Sequence, residues 1–223
     1  MTAIAKTFLF DLDGTLFDRD QTVRRIGEAQ FVAFQRQLVG VSPEPYVARL
    51  QALDDHGSVD KDVVYARLVR ACGLPESLAP TLVDDFWARY HAFCQPFADA
   101  VPTLEALRSR GKRIGLVTNG RTTVQNGTID ALGIRPLLDA ILISEAEGVR
   151  KPDPAIFQRA ATRLGAAPSD CCHVGDHPAL DVAGAISAGL SAVWRRVPYW
   201  HQPSPAAPII DSLSQLLSLG AAA

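Results

Sequence analysis

Asp11 and Asp13 stand two positions apart at the end of the apolar run Phe8-Leu9-Phe10, and Gly14 and Thr15 follow at once. Carboxylates set this way serve as nucleophiles, as general acids and bases, or as ligands of hard cations. Similar junctions recur downstream. Thr118 and Asn119 end the run Ile114-Gly115-Leu116-Val117, Lys151 lies in Arg150-Lys151-Pro152, and Asp176 follows Cys171-Cys172-His173-Val174-Gly175. Asp181 comes five residues after Asp176.

These polar groups need elements that bring them together. Phe8–Phe10 reads as a short strand buried on both faces, as in a parallel sheet. From Pro102 onward strands and helices alternate: helix 103–110, strand 113–117, helix 122–132, strand 140–143, helix 154–164, strand 171–174, helix 178–188 and strand 192–194. Gly111, Gly133, Gly165 and Gly189 stand where these helices stop. Such alternation predicts an α/β fold, a Rossmann-like parallel sheet in three layers. Ile209-Ile210 fits an edge strand, Asp211 or Ser212 caps a last helix to Leu219, and Ala221–Ala223 are expected to fray.

Residues 19–95 behave differently, because helical periodicity dominates and no strand pattern appears. Helices are expected over 21–39, 45–53, 60–72 and 78–94, with Asp54 to Ser58 as a loop. An interval this long has its own packing. Residues 1–18 and 96–223 are therefore assigned to the α/β core, and 19–95 to an inserted all-helical domain.

Composition narrows the function. The 223 residues are 48% hydrophobic and carry 22 basic against 24 acidic groups, so neither nucleic acid nor an acidic membrane is an expected partner. The amino terminus shows no charged leader and apolar stretch of a secretory signal, and no apolar run would span a bilayer. Cys72, Cys94, Cys171 and Cys172 form no paired motif, which suits a reduced, cytoplasmic protein. Zinc-ligand spacing is absent.

In a parallel sheet all strand ends in question lie on one edge, where open α/β sheets bind ligands. Crowded carboxylates repel, and a divalent cation relieves that conflict. Oxygen ligands with positions left for water suit Mg²⁺. Together with Lys151, such a cation favours an anion with several oxygens, such as a phosphoryl group, cradled by Thr118, Asn119 and main-chain N–H groups.

Asp11-Leu12-Asp13-Gly14-Thr15-Leu16, Thr118-Asn119-Gly120, Lys151-Pro152-Asp153-Pro154 with Phe157, and Gly175-Asp176-His177-Pro178 through Asp181 occur in that order. With these motifs the chain resembles the haloacid dehalogenase-like (HAD) hydrolase superfamily, in its phosphatase-type members with a helical cap inserted after the first motif. The resemblance covers nearly the whole chain. It implies an aspartyl-phosphate on Asp11, with Asp13 as general acid and then base. It also implies Mg²⁺ held by Asp11, the Asp13 carbonyl and Asp176, and phosphoryl oxygens bound by Thr118, Asn119 and Lys151. Asp181 and Thr15 would support this network from behind, with metal contact by Asp181 left open. The implied substrate is a small phosphomonoester: a nucleotide, a sugar phosphate, phosphoglycolate or flavin mononucleotide. A dehalogenase or a phosphomutase is the sister outcome, and a non-enzymatic phospho-ligand binder the remaining one. The dehalogenase branch lacks an acid at the position of Asp13, because a departing halide needs no proton. Asp55 and His56 in the cap loop are candidates for selecting substrate. His177 either orients metal-bound water or makes a local bond at a helix start. Whether the chain is a monomer or a dimer is not encoded in these motifs.

Overall fold

The computed structural model describes residues 5–202 and 205–219. Ala221–Ala223 and the Pro203-Ser204 part of the proline-rich stretch lie outside the described residues. The chain divides into two compact units, Met1–Phe17 with Pro96–Ala223, and Asp18–Gln95.

In the first unit β1 spans Thr7–Phe10 and is buried along its whole length. The second unit holds α1 (Arg19–Ala33), α2 (Pro43–Asp54), α3 (Lys61–Ala71) and α4 (Leu78–Phe93). The chain then continues through α5 (Ala100–Ser109), β2 (Arg113–Thr118), α6 (Thr122–Ala131), β3 (Ala140–Ile143), α7 (Ser144–Glu147) and α8 (Pro154–Arg163). It closes with β4 (Cys171–Gly175), a π-turn (Pro178–Ala183), α9 (Gly184–Ser187), β5 (Ser191–Arg195), β6 (Ile209–Ile210) and a 3₁₀ turn (Leu213–Leu217).

All six strands are parallel, in the order β3-β2-β1-β4-β5-β6. Growth of the sheet therefore reverses direction at β1, whose neighbours are β2 and β4. At such a switch point the connections diverge and leave a crevice at the carboxyl ends of the strands. Leu9, Val117, Leu142, Ile156, Phe157 and Val182 are fully buried in one cluster on the sheet. Each side chain of this kind contributes about 1.5–3 kcal/mol. The α8 helix shows why the sequence folds so: Asp153 accepts from Ala155 N at 2.9 Å as the cap, Pro154 opens the first turn, and Ile156, Phe157, Ala160 and Ala161 share the buried face.

The helical unit packs Ile26, Tyr46, Leu50, Tyr65, Leu68 and Phe86 with no exposed surface. Buried Gln30 is satisfied at both ends of its amide, by Leu82 O (2.7 Å) and the Tyr65 hydroxyl (2.7 Å). Asp54, fully buried, accepts from Arg19 at 2.5 Å and from Lys61. Burial opposes ionisation of Asp54, but the two cations outweigh it and hold its carboxyl below the usual range.

Three expectations need correction. The helix predicted over 21–39 ends at Ala33; Leu38 is buried from a turn instead, and Val39 is exposed. The helix predicted over 178–188 opens as a π-turn, in which Val182 N reaches back to His177 O at 3.3 Å. The last helix is a 3₁₀ turn ending at Leu217, whose buried Leu213 and Leu216 follow that helix's three-residue repeat. Its cap is Ser212, with Gln215 Oε1 accepting from Ser212 N at 3.3 Å.

Candidate active site

Asp11 leaves β1 at the switch point, and its N–H donates to Val174 O of β4 at 2.9 Å. Gly14 has φ +75°, a conformation open to glycine, and lets the chain turn sharply after Asp13. The carboxylates of Asp11, Asp176 and Asp181 gather here, with one oxygen of each lying within 4.8 Å of the others.

Lys151, buried, binds this group together. Its Nζ donates to Asp11 Oδ1 at 2.5 Å and to Asp181 Oδ1 at 2.6 Å. The lysine loop is itself clamped by Asn119, whose Oδ1 accepts from Lys151 N (2.9 Å) and whose Nδ2 donates to Lys151 O (3.0 Å). The Asn119 side chain is thus engaged with the lysine loop. Thr15 Oγ1 links Asp11 Oδ2 at 3.3 Å with Asp176 Oδ1 at 3.4 Å.

The π-turn accounts for Asp181. Its carboxylate meets His173 Nε2 at 3.0 Å and accepts from His177 N at 3.0 Å. His177 Nδ1 in turn accepts from Ala179 N and Leu180 N, both at 3.2 Å, which is the local helix-start bond. Asp55 and His56 belong to the other unit, in the turn Asp55–Gly57, where His56 Nδ1 stands 2.6 Å from Asp20 Oδ2.

The electrostatics of the cluster are uneven. Burial pushes the Asp11 carboxyl up to about 7 against the pull of Lys151. Burial, and then the Asp11 charge, push Asp176 well above its ordinary value. Burial also opposes ionisation of Asp181, but Lys151 and His173 outweigh it and hold that carboxyl far down. Asp11 and Asp176 are therefore short of positive charge, a conflict that a divalent cation bound between them would relieve. An oxygen-only donor set of this kind fits Mg²⁺ better than it fits zinc or copper.

Several residues that build the site belong to none of the sequence motifs. Trp194 Nε1 donates to Asp176 O at 2.6 Å, and Trp200 Nε1 to Asp176 Oδ2 at 3.2 Å. Arg195 Nη1 donates to Gly14 O at 2.8 Å while its guanidinium lies 3.7 Å from the Phe97 ring centroid. Gln125, buried, reaches both Asp13 and Thr118. Its signal was available: Gln125, Thr128 and Ile129 form the buried stripe of α6, so a polar amide sits where a core residue is expected.

Comparison with known proteins places this geometry. The family model for haloacid dehalogenase-like hydrolases matches residues 5–189. A glyceraldehyde 3-phosphate phosphatase of Methanopyrus kandleri is 33% identical over 198 residues, covering 84% of this chain and 82% of the relative. Among solved structures, a HAD phosphatase from Thermococcus onnurineus superimposes with a TM-score of 0.67 at 27% identity, over 96% of this chain and 97% of the other. A 2-haloacid dehalogenase from Pseudomonas syringae gives 0.62 at 29%, over 97% and 98%. Sheet order, acid cluster and sequence likeness agree: this chain belongs to the haloacid dehalogenase-like hydrolases.

Proposed function

We propose that the protein is a Mg²⁺-dependent phosphatase of small phosphomonoesters that works through an aspartyl-phosphate on Asp11. The observation that carries this reading is the pairing of two differently held acids on one strand end. Asp11 Oδ1 is pinned by Lys151 at 2.5 Å, whereas Asp13, two residues on, is held by the Gln125 amide at 2.7 Å. A nucleophile fixed by a buried ammonium and a separate acid beside it are what ester cleavage requires.

Asp11 attacks phosphorus as the bond to the leaving oxygen breaks, and Asp13 gives that oxygen its proton. Asp13 then takes a proton from the water that cleaves the acyl phosphate. Thr118 and Lys151 bind phosphoryl oxygens, and Asn119 keeps the lysine loop in register through its bonds at 2.9 and 3.0 Å. Asp11, the Asp13 carbonyl and Asp176 are the residues that would hold Mg²⁺. The ion would supply charge neutralisation for the phosphoryl group. Asp181 holds Lys151 from behind, and Thr15 ties Asp11 to Asp176. Residues Asp18–Gln95 act in this reading as a cap that selects substrate, with Asp55 and His56 as its candidates. The Methanopyrus relative, by its name, acts on a three-carbon sugar phosphate, which supports small phosphate esters as the class.

Dehalogenation is the sister reading, and Asp13 weighs against it because halide departs without a proton. Phosphate release from a panel of esters should require Mg²⁺, disappear with EDTA and vanish in Asp11→Asn. Halide release from a 2-haloacid, indifferent to EDTA, would overturn the assignment.

A further inference from the structure

Gln125 stands in the first turn of α6 and is 3% exposed. A buried amide is costly unless it is bonded. Its Nε2 lies 2.7 Å from Asp13 Oδ2, 2.7 Å from Thr118 Oγ1 and 3.2 Å from Asn119 O. A carboxylate and a carbonyl accept only, so the amide presents its nitrogen to this corner. The Thr118 hydroxyl accepts from the same nitrogen, which turns its own proton elsewhere. Gly120 leaves the space: a Cβ there would stand 2.9 Å from both Cγ and Cδ of Gln125.

We propose that Gln125 is a positioning residue of the hydrolytic reaction, clamping the Asp13 carboxylate beside Thr118 so that the proton donor and the phosphoryl-binding hydroxyl keep a fixed separation. The inference rests on the reading of Asp13 as general acid and base. In the first step an Asp11 oxygen bonds to phosphorus, the ester P–O bond breaks, and the Asp13 proton passes to the departing oxygen. In the second, water oxygen bonds to phosphorus, its proton passes to Asp13, and the bond between Asp11 and phosphorus breaks. Gln125 transfers no proton in either step; it sets where Asp13 points. Its loss should therefore be felt in proportion to how much the leaving group needs that proton. An alkoxide needs it; a 4-nitrophenolate hardly does.

The test compares kcat/KM, which reports only the steps through formation of the aspartyl-phosphate, for an alkyl phosphate that the wild type turns over and for 4-nitrophenyl phosphate. Gln125→Met and Gln125→Leu are assayed with Mg²⁺, and Asp13→Asn is the reference. Gln125→Met keeps length and removes the donor; Gln125→Leu removes it with a different shape and adds no charge, and it decides the question if the first variant folds poorly. Positioned general acids contribute about 10²–10⁴-fold, so the Gln125 variants should lose roughly 10–100-fold on the alkyl ester and less than about 3-fold on the aryl ester. Asp13→Asn should show the same pattern, larger. Equal losses on both esters, or no loss on either, overturn the proposal for Gln125 while the Asp13 reading stands. If Asp13→Asn itself shows no leaving-group dependence, the acid assignment falls and the Gln125 proposal falls with it.

Discussion

Asp176 shows how much of this site is built by residues that never face a reacting atom. One oxygen lies near Thr15 Oγ1, the other accepts from the Trp200 indole, and its main-chain carbonyl accepts from Trp194. A carboxylate held at both ends has little freedom to turn away from a cation. Trp200→Phe keeps the ring and removes the donor, and should weaken Mg²⁺ binding about 10-fold, as loss of a partner behind a metal ligand does. Titration calorimetry on the purified protein checks this, and unchanged affinity would deny Trp200 the orienting part. Asp11, Asp13 and Asp176 were legible because they follow apolar runs, where a charge needs a reason, and Lys151 because it opens the motif Lys151-Pro152-Asp153-Pro154. Trp200 was not legible, because it lies in an irregular stretch where no periodicity ties a side chain to a direction. Gln125 was half legible: its place on a buried stripe was visible, but its partners, Asp13 and Thr118, come from other elements.

Among the elements, the strands were read nearly residue for residue, since short apolar runs ended by a polar residue or a glycine leave little choice. Helix ends fared worse. Hydrophobic spacing carried α1 past Ala33 because Leu38 is buried, yet it is buried from a turn. The π-turn at Pro178–Ala183 had no signal in composition, although it brings the Asp181 carboxylate to Lys151 and His173. In the helical unit, the polar stretch at the end of α2 read as a loop, yet Asp54 within it is fully buried between Arg19 and Lys61. Removing that single negative charge strands two buried cations. Asp54→Asn should destabilise the protein by about 3–5 kcal/mol, the range for breaking a buried pair from one side. Urea denaturation measures it, and a change within about 0.5 kcal/mol, typical of surface positions, would mean that the two cations find other compensation.

For the molecule as a whole, the acid cluster ties stability to pH. Asp11 and Asp176 hold protons more tightly folded than unfolded, so their contribution is full in acid and is lost as pH rises, through about 7 for Asp11. Asp181, held low, contributes in the opposite sense and fails only on strong acidification. The rise in Tm on adding Mg²⁺ should accordingly be larger at about pH 8 than at about pH 5.5, because a cation competes with protons for the same oxygens. Scanning calorimetry with and without the ion decides it, and equal shifts at both pH values would count against Asp11 and Asp176 as its ligands. No helix among the described residues is long and apolar enough to cross a membrane. The path of the chain carries a further consequence. Phe17 and Pro96, where it leaves and rejoins the sheet-bearing unit, form an antiparallel bridge, and Phe97 N donates to Leu16 O at 3.0 Å. The doorway is therefore closed by the host, whatever passes through it. A segment spliced between two bonded neighbours adds only a slowly growing closure entropy to the host. The helical unit is in this sense a cassette: its length can change while the bridge between Phe17 and Pro96 keeps the sheet-bearing unit closed.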